Sequence, residues 1–221
     1  MNKKTKILVL GDSHANIYSS RYIKFLLPNF EFKTISVKGA TISGIQNPNS
    51  ITQSKFFFDE ALELNKNIKY CILLLGEVDT GFVLWYKQQE SNININELLQ
   101  LTINKYKNFI QQVDKLGYSV IVQSTPLPTI KDNCEFGEIA NLRKSIKSTQ
   151  VERTNLTLSF NSQIKKYCKL KGHQHISLDE ISLSKKGVVK KILRHYSKKN
   201  HHYNPIIYSL IIALNLKKLN F

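Results

Sequence analysis

Lys6-Ile7-Leu8-Val9-Leu10-Gly11-Asp12-Ser13-His14 is a short apolar run that ends on a glycine, an acid, a hydroxyl and an imidazole. Apolar residues at consecutive positions suit a strand covered on both faces, and a small, polar break directly after it suits a turn at the strand's carboxyl end. The same signature recurs at residues 32–37, 70–75, 119–124 and 175–178, which read as four further strands. Segments of helical period between and after them predict helices over 17–27, 52–64, 95–116, 150–170 and 205–216. Pro28 stops the first, Gly117 and Gly172 follow the third and fourth where a C-terminal cap needs positive φ, and Pro205 suits a first helical turn. Strands alternating with helices predict an α/β chain with a parallel sheet and crossover helices.

The chain of 221 residues can bury one full core, and no repeat or low-complexity linker divides it, so residues 1–221 read as one domain. Residues 126–148 lack periodicity and contain Pro126, Pro128, Cys134 and Gly137, which marks a lid, a binding insertion or a plain surface excursion. Hydrophobic residues at 42% exclude disorder, and the short apolar runs exclude a membrane span. Cys71, Cys134 and Cys168 are too widely spaced for a CxxC motif and odd in number, which fits a reducing compartment and a cytoplasmic location. A formal charge of +16 favours anionic partners: an acidic glycan, a phosphorylated donor, a membrane surface touched peripherally, or nucleic acid. A Lys- and Asn-rich composition produces the same charge without selection for binding. No helix-turn-helix, zinc-finger or RNP-like pattern accompanies it, so no specific nucleic-acid partner is expected.

Ligands of open parallel sheets bind beyond the carboxyl ends of the strands. The residues there are Gly11-Asp12-Ser13-His14, Gly39-Ala40-Thr41, Gly76-Glu77-Val78-Asp79, Thr125-Pro126-Leu127-Pro128 and Asp179-Glu180, with Asn200-His201-His202-Tyr203-Asn204 ahead of the last helix. Ser13, between strand and helix, is a candidate nucleophile if a base takes its proton, and His202 or His201 is a candidate base. Gly39 brings a backbone N–H to the same place without a side chain. As plain structure, Ser13 caps a helix and the two histidines are solvated.

In their order and spacing these blocks resemble the SGNH (GDSL-type) hydrolase superfamily over essentially the whole chain. The resemblance rests on Gly11-Asp12-Ser13-His14, on Gly39 after the second strand, on Gly76-Glu77-Val78-Asp79 and on His202-Tyr203-Asn204-Pro205. Pro126-Leu127-Pro128, Arg153 and Phe160-Asn161 look like secondary features of it. It implies a flavodoxin-like, three-layer α/β/α domain with a five-stranded parallel sheet. It also implies serine-based acyl transfer, with Ser13 as nucleophile, His202 as base, and the amides of Ser13 and Gly39 as oxyanion donors. Two positions depart from the family pattern. Val78 stands where an asparagine would donate to the oxyanion, and Lys199 stands where an aspartate would orient the histidine. The orienting group is then a backbone carbonyl, an acid from elsewhere such as Asp179 or Glu180, or missing, with catalysis lost.

Asp12 and Asp79 are expected to hold loops, with contact to substrate as the other role. Glu77, His14, His201 and Lys199 are candidate substrate contacts. Phe82, Trp85 and Tyr86 either stack on a sugar at the cleft rim or pack in the core. Lys185, Lys186, Lys190, Lys191, Arg194, Lys198 and Lys199 form a basic run, about four turns long if helical, that attracts an acidic substrate or is merely solvated. No metal is expected, because the histidines lack spacing such as HExxH. Proteins of this look often act in bacterial surface-polysaccharide assembly, which implies an esterase or an O-acetyltransferase acting on a carbohydrate. Hydrolysis needs no cofactor, whereas a transferase would take an acyl donor such as acetyl-CoA. The contrasting reading is a degenerate domain that binds an acidic glycan or partner without turnover.

Overall fold

The computed structural model describes residues 4–132, 146–197, 200–219 and 221. Five strands, β1 (Thr5–Gly11), β2 (Phe30–Ser36), β3 (Tyr70–Leu74), β4 (Ser119–Gln123) and β5 (Gln174–Ile176), form one sheet in the order β2-β1-β3-β4-β5. All four pairings are parallel. The sheet and the helices on both of its faces make the three-layer α/β/α architecture expected from the sequence.

The helices are α1 (Arg21–Leu26), α2 (Ser54–Leu64), α3 (Leu84–Ser91), α4 (Ile95–Lys115), α5 (Gln150–Lys171), α6 (Asp179–Ser182) and α7 (Pro205–Leu216). The alternation of side chains along each strand divides the core in two. Leu8, Leu10, Cys71, Leu73, Val120 and Val122 face Phe58 and Leu62 of α2, Tyr106 and Phe109 of α4, and Phe160 of α5. Ile7, Val9, Ile72, Leu74 and Ile121 face Ile23 of α1 and Ile212 and Leu216 of α7. Strands buried on both faces leave no polar alternation, which is why their sequences are nearly continuously apolar.

Three stretches differ from the sequence reading. The first predicted helix is two: a 3₁₀ helix over Ser13–Ser19 breaks at Ser20, whose extended backbone and side-chain oxygen cap α1 through Ile23 N. A π-helical turn over Asp79–Val83 runs directly into α3, an element hidden by an aromatic run without clean period. The basic run, four turns long only if helical, is bent where it is described: Leu183 and Val189 pair across a turn with Gly187 at φ +71°, followed by a 3₁₀ turn at Lys191–Leu193. Lys185, Lys186, Lys190 and Lys191 therefore share no continuous helical face.

Close approach at the sheet's centre explains one glycine. A Cβ on Gly11 would sit 2.3 Å from the Leu74 carbonyl oxygen and 2.8 Å from Ala15 Cβ, so only glycine lets β1 end against β3 and turn at once into the Ser13 helix.

Candidate active site

The turn after β1 is held from both sides. Asp12 donates its amide to Leu74 O (3.2 Å), and its own carbonyl accepts from the Ser36 hydroxyl (2.8 Å) at the end of β2. Its carboxylate Oδ1 accepts from His14 N (2.8 Å) and lies 3.1 Å from His14 Nδ1. Asp12 and His14 are both buried, and between them Ser13 stands half-exposed at the mouth of the turn.

The histidine loop comes from the far end of the chain. Tyr203 anchors it: the ring is buried against Tyr208, and the hydroxyl accepts from Leu127 N (2.8 Å). The Thr129 hydroxyl donates to His201 O, and Asn204 N donates to Leu193 O (2.8 Å). Asn204 also caps α7 through Ile206 N and Ile207 N, with Pro205 as the first helical residue. Buried Gln123 at the end of β4 joins the two halves: its Oε1 accepts from Tyr18 OH, and its Nε2 donates to Tyr208 OH (2.7 Å). The first residues of the predicted lid thus tether the histidine loop, while 133–145, including Cys134, lie outside the described residues.

The result is a contact across 189 positions: His202 Nε2 lies 2.9 Å from Ser13 Oγ. On the other side of the ring, Nδ1 lies 2.8 Å from Asn200 Oδ1. That Oδ1 atom also accepts from the backbone N–H of His202 (2.9 Å), so it is the amide oxygen and not the nitrogen. An oxygen there requires Nδ1 to carry the ring proton, which leaves a lone pair on Nε2 aimed at the Ser13 hydroxyl. Burial, reinforced by the neighbouring imidazoles of His14 and His201, pushes the His202 pKa down to about 3, so the ring is neutral at pH 7. A neutral imidazole with a free Nε2 beside a serine hydroxyl has the arrangement a general base needs.

Asn200 is the residue that the sequence reading missed. It stands two positions before His202, as Asp12 stands two before His14, and in both cases Oδ1 accepts the backbone N–H of the histidine and faces its Nδ1. The Asx-X-His spacing, present twice, was the available signal. Neither proposed acid is the group at Nδ1. Asp179 instead accepts from Asn161 Nδ2 (2.8 Å), with burial raising its pKa to about 6, and Glu180 is exposed. Asn161 further clamps Thr125 through its amide and carbonyl (2.9 and 3.0 Å), so this cluster fixes the end of β4. Lys199 lies outside the described residues.

Gly39 follows β2 at φ +74°, and neither its amide nor that of Ser13 has a hydrogen-bond partner among the described residues. The side chain of Val78, after the next strand, has no donor. Asp79 is fully buried and holds the Gly39 loop, with both carboxylate oxygens facing Ile42 N (3.2 and 3.0 Å). Burial raises its pKa to about 7. Asp12 and Asp79 are thus occupied with backbone amides. Glu77 is buried close enough to His202 to act on its ionisation electrostatically. Trp85, partly buried, donates to Thr80 O (2.9 Å) and packs against the core, whereas Tyr86 is exposed beside Phe82. His14, His201 and His202 form one aromatic cluster with ring centroids 4.2 to 5.7 Å apart.

No protein-family model matches the chain, and no curated protein does. Solved structures do match it in fold. A GDSL-like lipase from Bacteroides thetaiotaomicron superposes with a TM-score of 0.66 at 15% identity, over 97% of this chain and 86% of the lipase. An acetylxylan esterase from Geobacillus stearothermophilus gives 0.58 at 13% identity, over 98% and 94%. The acetyl xylan esterase AlAXEase gives 0.58 at 13%, over 96% and 98%. The described residues therefore have the SGNH-hydrolase fold that the sequence blocks imply.

Proposed function

We propose that this SGNH-fold chain is a serine-dependent acyl-ester enzyme, an esterase or O-acetyltransferase, acting on a carbohydrate. The observation that carries the reading is the Ser13 Oγ to His202 Nε2 contact at 2.9 Å, with the tautomer fixed by Asn200. In the proposed reaction His202 removes the Ser13 proton as Oγ attacks the ester carbonyl. The tetrahedral oxyanion lies against the amides of Ser13 and Gly39, and collapse expels the alcohol, which takes the proton from His202. Water or a sugar hydroxyl, activated by the same Nε2, then releases the acyl group from Ser13. Asn200 takes the place of the usual acid: its amide oxygen orients the ring but brings no negative charge to the imidazolium. Val78 leaves the oxyanion with backbone donors alone. Removing one oxyanion donor costs about 10²- to 10³-fold, so turnover is expected to be slow for this fold.

The carbohydrate assignment is supported by the acetylxylan esterases among the structural neighbours and by the +16 charge, which suits an anionic saccharide such as a bacterial surface polysaccharide or its precursor. If a sugar hydroxyl is the acceptor, an acyl donor such as acetyl-CoA completes the cycle. Among the described residues no helix is long and apolar enough to cross a membrane. The test is turnover of a chromogenic acetyl ester and of acetylated polysaccharides by wild type and Ser13→Ala. The reading expects turnover that the substitution abolishes. Equal rates in the two proteins refute it, and saccharide binding without turnover favours the non-catalytic domain.

A further inference from the structure

We propose that His14, His201 and His202 form a binding site for a divalent transition-metal ion of the zinc type, and that the bound ion and the Ser13–His202 hydrogen bond exclude one another. One ring nitrogen from each residue lies within 4.8 Å of the other two. Ligand nitrogens around a tetrahedral zinc ion stand about 3.3 Å apart, so the three must draw together by about 1.5 Å at most. His14 is buried and held on Asp12, so that movement would come from the half-buried rings of His201 and His202 on the 200–204 loop.

A second observation sets this cluster apart from three histidines that merely stack. Metal-binding histidines characteristically donate the remaining ring N–H to a carboxylate or carbonyl, which fixes the tautomer and presents the other nitrogen. His14 Nδ1 faces the Asp12 carboxylate and His202 Nδ1 faces the Asn200 amide oxygen, so in both rings a bond to an ion would fall to Nε2. The donor set is all nitrogen, which suits zinc, copper or nickel rather than magnesium or calcium, whose ligands are oxygens. Three protein ligands leave one position open. The chain's positive charge opposes any cation, so affinity has to come from the metal–nitrogen bonds, and neutral imidazoles give those bonds without burying a further charge. His202 Nε2 has one lone pair, now turned to the Ser13 hydroxyl, and the ion needs the same one.

This inference does not depend on ester turnover. Metal-free protein is titrated with Zn²⁺ at neutral pH by calorimetry, and with Co²⁺ followed by the visible absorption of a tetrahedral nitrogen site. One equivalent per chain is expected. His14→Ala and His201→Ala should each weaken binding at least tenfold, with His201→Gln as the variant of similar bulk should the alanine variant fail to fold. His173→Ala should bind as wild type does. Ser13→Ala, which removes the competitor for Nε2, should tighten binding about 2- to 10-fold, the worth of one net hydrogen bond. Absence of stoichiometric binding, or binding that survives loss of His14 and His201, overturns the site. Unchanged or weaker binding in Ser13→Ala overturns the exclusion.

Discussion

Replacing Asn200 is the most informative perturbation, because the proposed chemistry gives this amide the task that a carboxylate performs elsewhere. In the resting state its oxygen accepts the Nδ1 proton of His202 at 2.8 Å. When His202 takes the serine proton, the same bond runs from a charged imidazolium, and hydrogen bonds to charged groups are worth about 1.5–3 kcal/mol. Asn200 is exposed, so water replaces part of that bond in Asn200→Ala. The expected loss in kcat is therefore about 10- to 30-fold. That is far below the roughly 10⁴-fold that follows loss of a triad aspartate's function, since no negative charge is removed. Asn200→Asp supplies the missing charge at the same position and should raise kcat at least tenfold. Initial rates on p-nitrophenyl acetate, with melting temperatures of all three proteins, make the comparison. An alanine variant as fast as wild type, or an aspartate variant slower than wild type with an intact fold, refutes the assignment of Asn200 as the orienting group.

Val78→Asn should place a third oxyanion donor at the strand end and raise kcat on the same ester at least tenfold; an unchanged kcat would show that the donor position is already filled or lies elsewhere. Tyr203→Phe leaves the buried Leu127 amide unpaired, which costs about 1–3 kcal/mol, and should lower both the urea midpoint and kcat by loosening the histidine loop. Burial raises the Asp79 pKa from 3.8 to about 7 in the folded chain, so the proton is held more tightly folded than unfolded. Stability then falls as pH rises from about 4 to about 7, and Asp79→Asn should flatten that slope in urea unfolding at pH 5 and pH 8. Gly11→Ala should prevent soluble expression or unfold the chain, because a Cβ 2.3 Å from Leu74 O has no room, whereas Gly39→Ala, with its nearest neighbour at 3.7 Å, should cost only the ~1–2 kcal/mol of a positive φ.

The strands were legible because a sheet covered on both faces needs runs such as Ile7–Leu10 and Tyr70–Leu74, and nothing competes with that signal in the sequence. The segment that follows them was harder to read. Phe82 to Tyr86 is apolar without a clean period, so nothing in it marks the π turn and α3, which are held by Leu84 and Trp85 packing against the core. For the lysine run the sequence reading assigned no element, and Gly187 and the Leu183–Val189 pairing bend its first part into a turn.

At the site, Ser13 and His202 were identifiable from their blocks, and the fold brings them together. Asn200 was not, because the resemblance points to an acid three residues before the histidine, whereas here an amide two residues before it reaches Nδ1. The imidazole cluster was out of reach for a different reason. His14 comes from the first strand's turn and His201 and His202 from the last loop, so no local spacing announces that they meet.

The central claim is that His202 activates Ser13. Incubation with a serine-directed fluorophosphonate, followed by peptide mass spectrometry, tests it most directly. The account predicts one adduct, on Ser13, formed far more slowly in His202→Ala; no adduct, or one that forms at an equal rate without His202, would contradict it.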